Sequence, residues 1–327
     1  MYDYGLSILP QYGLEATASF RTRGALVCHT EQKILILREF HGSEKKLLFQ
    51  QELLKKLSEE GCLVDEFLEN QAGSLIARDK DGIPYTLQAW YEGHECDTKS
   101  REDIFKSVQL LAKIHKSMKM PVEAAYMVRP LTEEYERHNR ELRKIRKFIR
   151  GKGTDAKFEK EFLGSVQWFL EKGEKAVEML RQSDYEKLRD KAKKEGAICH
   201  GEYNQHNVLL GRNQAAVTNF NHFVFDIQIS DLYCFMRKIL EKYNWDVSLA
   251  LKMLEQYHKI HPISPEEWEN LKIRFTYPEK YWKLANYYFS HRKTWISGKN
   301  TEKLEKVIRQ MEIWGNFPEK CFGKYPF

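Results

Sequence analysis

No two of the six cysteines (Cys28, Cys62, Cys96, Cys199, Cys234, Cys321) stand at CxxC spacing, and no His–Cys cluster accompanies them. That pattern argues for reduced thiols in a cytosolic setting, against structural zinc and against a disulfide scaffold. Long apolar runs are also missing, so no membrane insertion is expected. The start, Met1-Tyr2-Asp3-Tyr4-Gly5, has neither a basic segment nor an apolar stretch, so no signal peptide is expected. Internal repeats and low-complexity tracts are absent. Charge of one sign is in short supply: 53 basic residues face 47 acidic ones, a net +6. Such a small excess points to an ordinary solvated surface and away from nucleic-acid partners.

What is present is globular material, 42% hydrophobic and 31% charged over 327 residues. That length exceeds one small core and predicts two lobes. Residues 1–92 read as a small β-rich lobe. Leu6 to Leu9 and Glu15 to Phe20 are candidate strands, with a turn at Arg21–Gly24. Gly24–His29 and Ile34–Arg38 follow as two more strands. Ser43 caps a helix over Glu44–Glu59, whose Leu47, Leu48, Gln51, Leu54 and Leu57 share one face, and Gly61 ends it. Leu75–Arg78 and Tyr85–Trp90 flank Asp81-Gly82, a hairpin signal. From residue 93 to 327 the chain reads as mostly helical. Glu133–Ile149 and Phe158–Leu180 are long amphipathic helices separated by the flexible Arg150–Gly153. The basic run Arg140–Arg150 reads as a solvated face. His115 and the aromatic stripe from Tyr277 to Tyr288 read as packed helix positions.

Chemistry concentrates at Cys199–Leu210. A polar loop there holds His200, Gly201, Glu202, Asn204 and Asn207 ahead of an apolar strand. An acid followed five residues later by Asn is the layout of a phosphotransferase catalytic loop. The acid stands beside the substrate hydroxyl, and the Asn oxygen helps hold Mg²⁺ on the nucleotide phosphates. Twelve residues past Asn207 comes Asn219-Phe220-Asn221, where a metal-binding Asp would open the triplet. Strands, one helix and two more strands is also the order of a kinase small lobe. Arg38 then stands where a Lys would reach the α/β-phosphates, and Glu52 is the nearest carboxylate on the helix to partner it. Trp90-Tyr91-Glu92-Gly93 falls at the hinge. The candidate catalytic residues are therefore Glu202, His200 and Asn204. The candidate nucleotide-binding residues are Arg38, Glu52, Trp90 and Tyr91, and the candidate metal ligands are Asn207 and Asn219. Asp231 either braces the loop or caps its own helix.

With these residues in hand, the chain resembles the spore coat-associated kinase-like family (CotS family). That family is similar in fold to aminoglycoside and choline phosphotransferases. The resemblance rests on Gly42-Ser43-Glu44, Trp90–Gly93, Ile198–Leu209, Asp231–Lys238, Tyr277–Lys283 and Lys299–Leu304, in that order and spacing. It implies an α+β, two-lobed protein-kinase-like fold, a role in spore coat formation and spore coat protein partners. It also implies synthesis in the mother cell, location in the spore coat, and ATP with Mg²⁺ as cofactors. Active members would carry Asp at positions 202 and 219 and Lys at 38, whereas Asn207 matches.

Glu202 keeps a carboxylate but moves it by roughly an ångström, a displacement that can cost about 10²-fold in rate. Asn219 removes the anion that Mg²⁺ prefers as a ligand. The expectation is a site that binds nucleotide poorly or without metal. Three readings follow: a non-catalytic coat-assembly protein, an ATP-dependent phosphotransferase of a small hydroxylated metabolite with Glu202 as base, and a ligand-binding module that uses the cleft without ATP.

Overall fold

The computed structural model describes residues 5–153, 156–291 and 298–327. The first four residues, on which most of the N-terminal reading falls, lie outside that set. Packing divides the chain into two compact units. The first joins Met1–Pro121 to Ile198–Phe223, and the second joins Val122–Ala197 to Val224–Phe327. This partition follows packing. The lobe boundary expected at residue 92 falls inside the first of these units.

In the first unit, strands β1 (Ala18–Thr22), β2 (Ala25–His29) and β3 (Ile34–Glu39) are followed by α1 (Glu44–Glu59), β4 (Leu63–Val64), β5 (Ile76–Arg78) and β6 (Pro84–Ala89). Five of these strands form an antiparallel sheet in the order β1-β2-β3-β6-β5. Period-two alternation sorts its residues between two faces. Leu26, Cys28, Leu35, Leu37, Tyr85 and Leu87 build the main core with Ile8 and Leu9. Ala25, Val27 and Ile36 point the other way, and Ile34 and Trp90 pack on them. Arg38 follows Ile34 and Ile36 at the same two-residue spacing, so it belongs to that second face. Helix α1 spans the expected residues, and the Ser43 hydroxyl accepts the Lys46 N–H at 3.3 Å.

The stretch expected as the first strand, Leu6 to Leu9, is instead part of a 3₁₀ helix over Leu6–Tyr12. Ile8 and Leu9 are consecutive and both buried, which a one-faced strand cannot achieve. Pro10 lacks an N–H, and left-handed Gly5 and Gly13 bound the segment. The next strand begins at Ala18 rather than Glu15, and the tight turn narrows to Arg23-Gly24.

Strand β7 (His94–Glu95) and helix α2 (Arg101–Ser117) complete the first stretch of this unit. Strands β8 (Ile198–Cys199), β9 (Val208–Leu210) and β10 (Ala215–Val217) arrive from far downstream. A second sheet then forms in the order β4-β10-β9-β7, with β10 parallel to β4 and antiparallel to β9. His115 is fully buried in α2, as a packed helix residue should be.

The second unit is helical: α3 (Leu131–Lys152), α4 (Lys157–Gln182), α5 (Tyr185–Glu195), a short strand β11 (Val224–Phe225), α6 (Ile229–Leu240), α7 (Val247–His258), α8 (Pro265–Thr276), α9 (Glu279–Ser290), α10 (Lys299–Arg309) and α11 (Met311–Phe322). Arg150–Lys152, expected as a flexible separator, extends α3 by three residues before Gly153 caps it. Lys152 reaches the fully buried Glu159 carboxylate at 2.8 Å, which rewards the extra turn. Tyr277 and Tyr281 are core residues, stacked on Tyr135 and Phe169. Along the basic run, Arg140, Arg143, Lys144 and Lys147 are exposed, and Arg143 meets Glu174 at 2.5 Å.

Candidate active site

Residues from three separated stretches converge in the first unit. The loop between β8 and β9 is shaped by its own polar side chains. Imidazole Nε2 of buried His200 stands 3.0 Å from the Thr218 carbonyl, and Nδ1 stands 3.2 Å from the Glu202 N–H. These contacts fix the neutral tautomer with the proton on Nε2. Asn204 donates to the Glu202 carbonyl at 2.9 Å and accepts the His206 N–H at 2.9 Å. His200 and Asn204 thus hold the loop's backbone. The buried Tyr203 hydroxyl anchors the loop to α2 through the Ser107 carbonyl at 2.7 Å. Gly201 lies at φ +78, and a Cβ there would meet the His222 carbonyl oxygen at 1.9 Å, so no larger residue fits.

The Glu202 carboxylate is 44% exposed and has the His222 imidazole 3.4 Å away. It is the loop's accessible acid. Asn207 is buried and spends its amide N–H on the Glu202 carbonyl at 2.9 Å. Asn219 takes a left-handed backbone (φ 66, ψ 56), a conformation asparagine tolerates better than most residues.

These amides join into one directed chain. Gln50 on α1 donates to Asn221 (3.4 Å), Asn221 to Asn219 (3.0 Å), Asn219 to Asn207 (3.3 Å), and Asn207 to the Glu202 carbonyl. Oδ1 of Asn207 and Oδ1 of Asn219 each accept one N–H, and neither side chain carries a negative charge. Mg²⁺ demands oxygen ligands in near-octahedral array and is usually held through one or two carboxylates. Two neutral amides pointing a donor between them do not supply that. The donor set does not fit Mg²⁺, and no catalytic step is assigned to it. Among the described residues, no group of three or more His, Cys, Asp or Glu side chains could hold a metal ion.

Arg38 pairs with Asp65, which follows β4, at 3.9 Å. The helix residue expected as its partner, Glu52, is exposed, because α1 turns Leu47, Gln50, Gln51 and Leu54 inward. Gln51 is occupied with the Phe67 backbone. Asp65 is fully buried and accepts the Asn219 N–H at 2.7 Å. Burial pushes its carboxyl up to about 7, although Arg38 and the Asn219 N–H oppose the shift. The same burial lowers Arg38. At 3.9 Å the mutual attraction does not offset the loss of water.

Trp90 covers the β2–β3 face with its ring 6.0 Å from the Arg38 guanidinium, a cation–π contact. The Tyr91 hydroxyl donates to the Val64 carbonyl at 2.8 Å. Gly93 is pressed against the β9–β10 turn, where a Cβ would meet the Leu210 carbonyl at 2.8 Å. A cavity of ≈360 Å³ opens beside this cluster, lined by Arg38, His41, Ser43, Lys46, Asn221 and His222 among others. Lys46 donates to the Asn221 carbonyl at 2.8 Å.

Asp65, Lys46 and Gln50 escaped the sequence reading. The acidic pair Asp65-Glu66 after the apolar Leu63-Val64 was the available signal for Asp65. Asp226, a conceivable substitute acid, lies in the second unit beside the buried Arg274 at 3.8 Å.

A strand-rich unit carrying a His-Gly-Glu loop, an Arg on the third strand and an Asn-Phe-Asn triplet, with a helical unit beside it in sequence, has a fold of the protein-kinase-like class. The comparisons agree. An aminoglycoside phosphotransferase from Alicyclobacillus acidocaldarius superposes with a TM-score of 0.85 at 15% identity, covering 96% of this chain and 94% of that one. A spectinomycin phosphotransferase solved with ADP and spectinomycin matches at a TM-score of 0.62 and 10% identity, over 93% and 94% of the two chains. Spore coat protein S of Bacillus subtilis is 22% identical over 301 residues, 87% of this chain and 83% of that protein. The family described as "Spore coat putative kinase YutH" matches residues 6–319, and the chain belongs to it.

Proposed function

We propose that this protein acts in the spore coat as a binding component built on a phosphotransferase fold, with a phosphate-transfer site that no longer seats Mg²⁺. The observation that supports this reading is the amide chain Gln50–Asn221–Asn219–Asn207, a run of neutral side chains at the positions where the family's phosphotransferases would carry a metal-binding carboxylate. Family membership and the relative named spore coat protein S support the coat location and coat protein partners. The lobe boundary near residue 92 and a nucleotide-facing role for Arg38, Trp90 and Tyr91 belong to the same proposal. Fold neighbours solved with ADP, or with AMP-PNP and Ca²⁺, support residual affinity for nucleotide.

The test is ATP turnover with Mg²⁺ together with thermal shifts of the wild type and Asn219→Asp. The wild type is expected to show no turnover and no Mg²⁺-dependent shift. In Asn219→Asp a carboxylate faces the Asn207 oxygen, so this variant should melt lower without Mg²⁺ and recover with it. Turnover by the wild type that disappears in Glu202→Gln would overturn the proposal and establish Glu202 as the base of an active phosphotransferase.

A further inference from the structure

A cavity of ≈30 Å³ lies within the second unit, and none of its lining residues belongs to the polar loop. Its walls are mostly aromatic, with Phe169, Phe275, Tyr281 and Trp314 among them. Three polar side chains also line it, and each has one atom with no hydrogen-bond partner in the protein: the Tyr233 hydroxyl, Arg237 Nε and Trp245 Nε1. Tyr233 is 4% exposed, and Arg237 and Trp245 are each 7% exposed, so bulk water does not satisfy these atoms. Buried polar groups left unpaired are rare in folded proteins, and three around one cavity ask for a guest. Tyr233 and Arg237 stand four residues apart on α6 and share one of its faces. Trp245 follows α6 with a left-handed backbone (φ 60), directly after left-handed Asn244 (φ 48). A bulky residue holds that conformation only where its surroundings dictate it. Here the indole packs against Phe275, Trp314 and Phe317.

All three unpaired groups can donate. Two are N–H groups, and burial holds the Tyr233 hydroxyl well above its ordinary pKa, so it keeps its proton. A guest must therefore accept and has no need to donate. Charge points the same way. Arg237 and Lys280 both meet Glu241, and Lys283 meets Glu279 at 2.8 Å. Three cations thus share two carboxylates, which leaves one positive charge in excess among these five groups. Aromatic rings add positive edges and remove competing water. The volume admits one or two water-sized species. It excludes sugars, amines of drug size and nucleotides, whose pockets run to about 300 Å³ or more. We propose that this cavity binds a halide-sized monovalent anion such as chloride, held by the Tyr233 O–H, the Arg237 Nε–H and the Trp245 Nε1–H, as a structural ligand of the helical unit. The inference does not rest on the reading of the polar loop.

The experiment melts the full chain at constant ionic strength while sodium chloride replaces sodium gluconate. A ligand of the folded state raises the transition by mass action, so the midpoint should climb and then saturate with chloride. Gluconate is too large for the cavity. Tyr233→Phe and Trp245→Phe each remove one donor and keep an aromatic ring in place. Each should weaken chloride binding about ten-fold, because hydrogen bonds to ions are the strong ones. Crystals grown without halide and soaked in bromide should show an anomalous peak between the Tyr233 hydroxyl and Trp245 Nε1. A water there with no bromide, a midpoint indifferent to chloride, or a chloride response unchanged in both variants would overturn the proposal. Should a variant fail to fold, the bromide peak and the chloride response of the wild type still decide it. Turnover with Mg²⁺ would overturn the non-catalytic reading and leave this measurement intact.

Discussion

Asp65 shows how one buried side chain can set the character of a site. It accepts the Asn219 N–H and faces Arg38, yet burial raises its carboxyl from an ordinary 3.8 to about 7. The sign of its pH effect follows. Below about pH 4 both folded and unfolded chains hold the proton, and the stabilising contribution is complete. Between pH 4 and 7 the unfolded chain has lost a proton that the folded chain keeps, so stability falls as pH rises through the folded value. The span is on the order of a few kcal/mol. Asp65→Asn keeps an acceptor for Asn219 and should flatten this slope. Urea unfolding at pH 4.5 and 7.5 reads it, and equal slopes in both proteins would show that Asp65 is ionised throughout. No spacing rule would have paired residues 38, 65 and 219, because their meeting is tertiary. Asn207 and Asn219, read as one set from their twelve-residue interval, do meet, with the Asn219 amide donating to Asn207 at 3.3 Å.

Among elements, α1 is the one whose residues dictate it most fully. Ser43 caps it, leucines mark its buried face, and Gly61 follows its end with φ +83. Ser43→Ala should cost about 1 kcal/mol, measured by chemical unfolding. Because α1 also carries Lys46 and Gln50 to the Asn219–Asn221 segment, any fraying of its first turn should loosen that segment's amide-exchange protection. The position of Glu52 was misjudged for a physical reason. Periodicity placed Gln51 inward correctly, but it also placed Leu48 there, which is 58% exposed, and it cannot tell that Gln50 rather than Glu52 turns inward at the edge of the stripe. The Leu6–Leu9 segment was illegible in another way. Four residues are too few for a period to declare itself, and Pro10 with its flanking glycines decided the outcome.

The chain as a whole divides into two units, each with its own interior. Multi-domain chains commonly unfold in more than one step. Asp226 and Arg274 form a buried pair in the helical unit, where Arg274 also donates to Asn270 at 2.7 Å. Asp226→Ala leaves that guanidinium without its counter-charge and should cost about 3 kcal/mol. In scanning calorimetry it should lower one transition, while Ser43→Ala lowers the other. A single transition displaced alike by both variants would show that the units melt together. Length had suggested two parts. Their interleaving along the chain was hidden, because the pairing of β4 with β10 joins residues about 150 positions apart.

That interleaving carries a consequence for biogenesis. Strands β4 and β7 leave the ribosome early, but their partners β10 and β9 lie beyond residue 207, with all of Val122–Ala197 synthesised in between. At elongation speeds of about 5–20 residues per second, the nascent chain waits on the order of ten seconds with those edges uncovered. Throughout that interval the polar loop does not yet exist. Those strand edges therefore stay unpaired until translation passes β10.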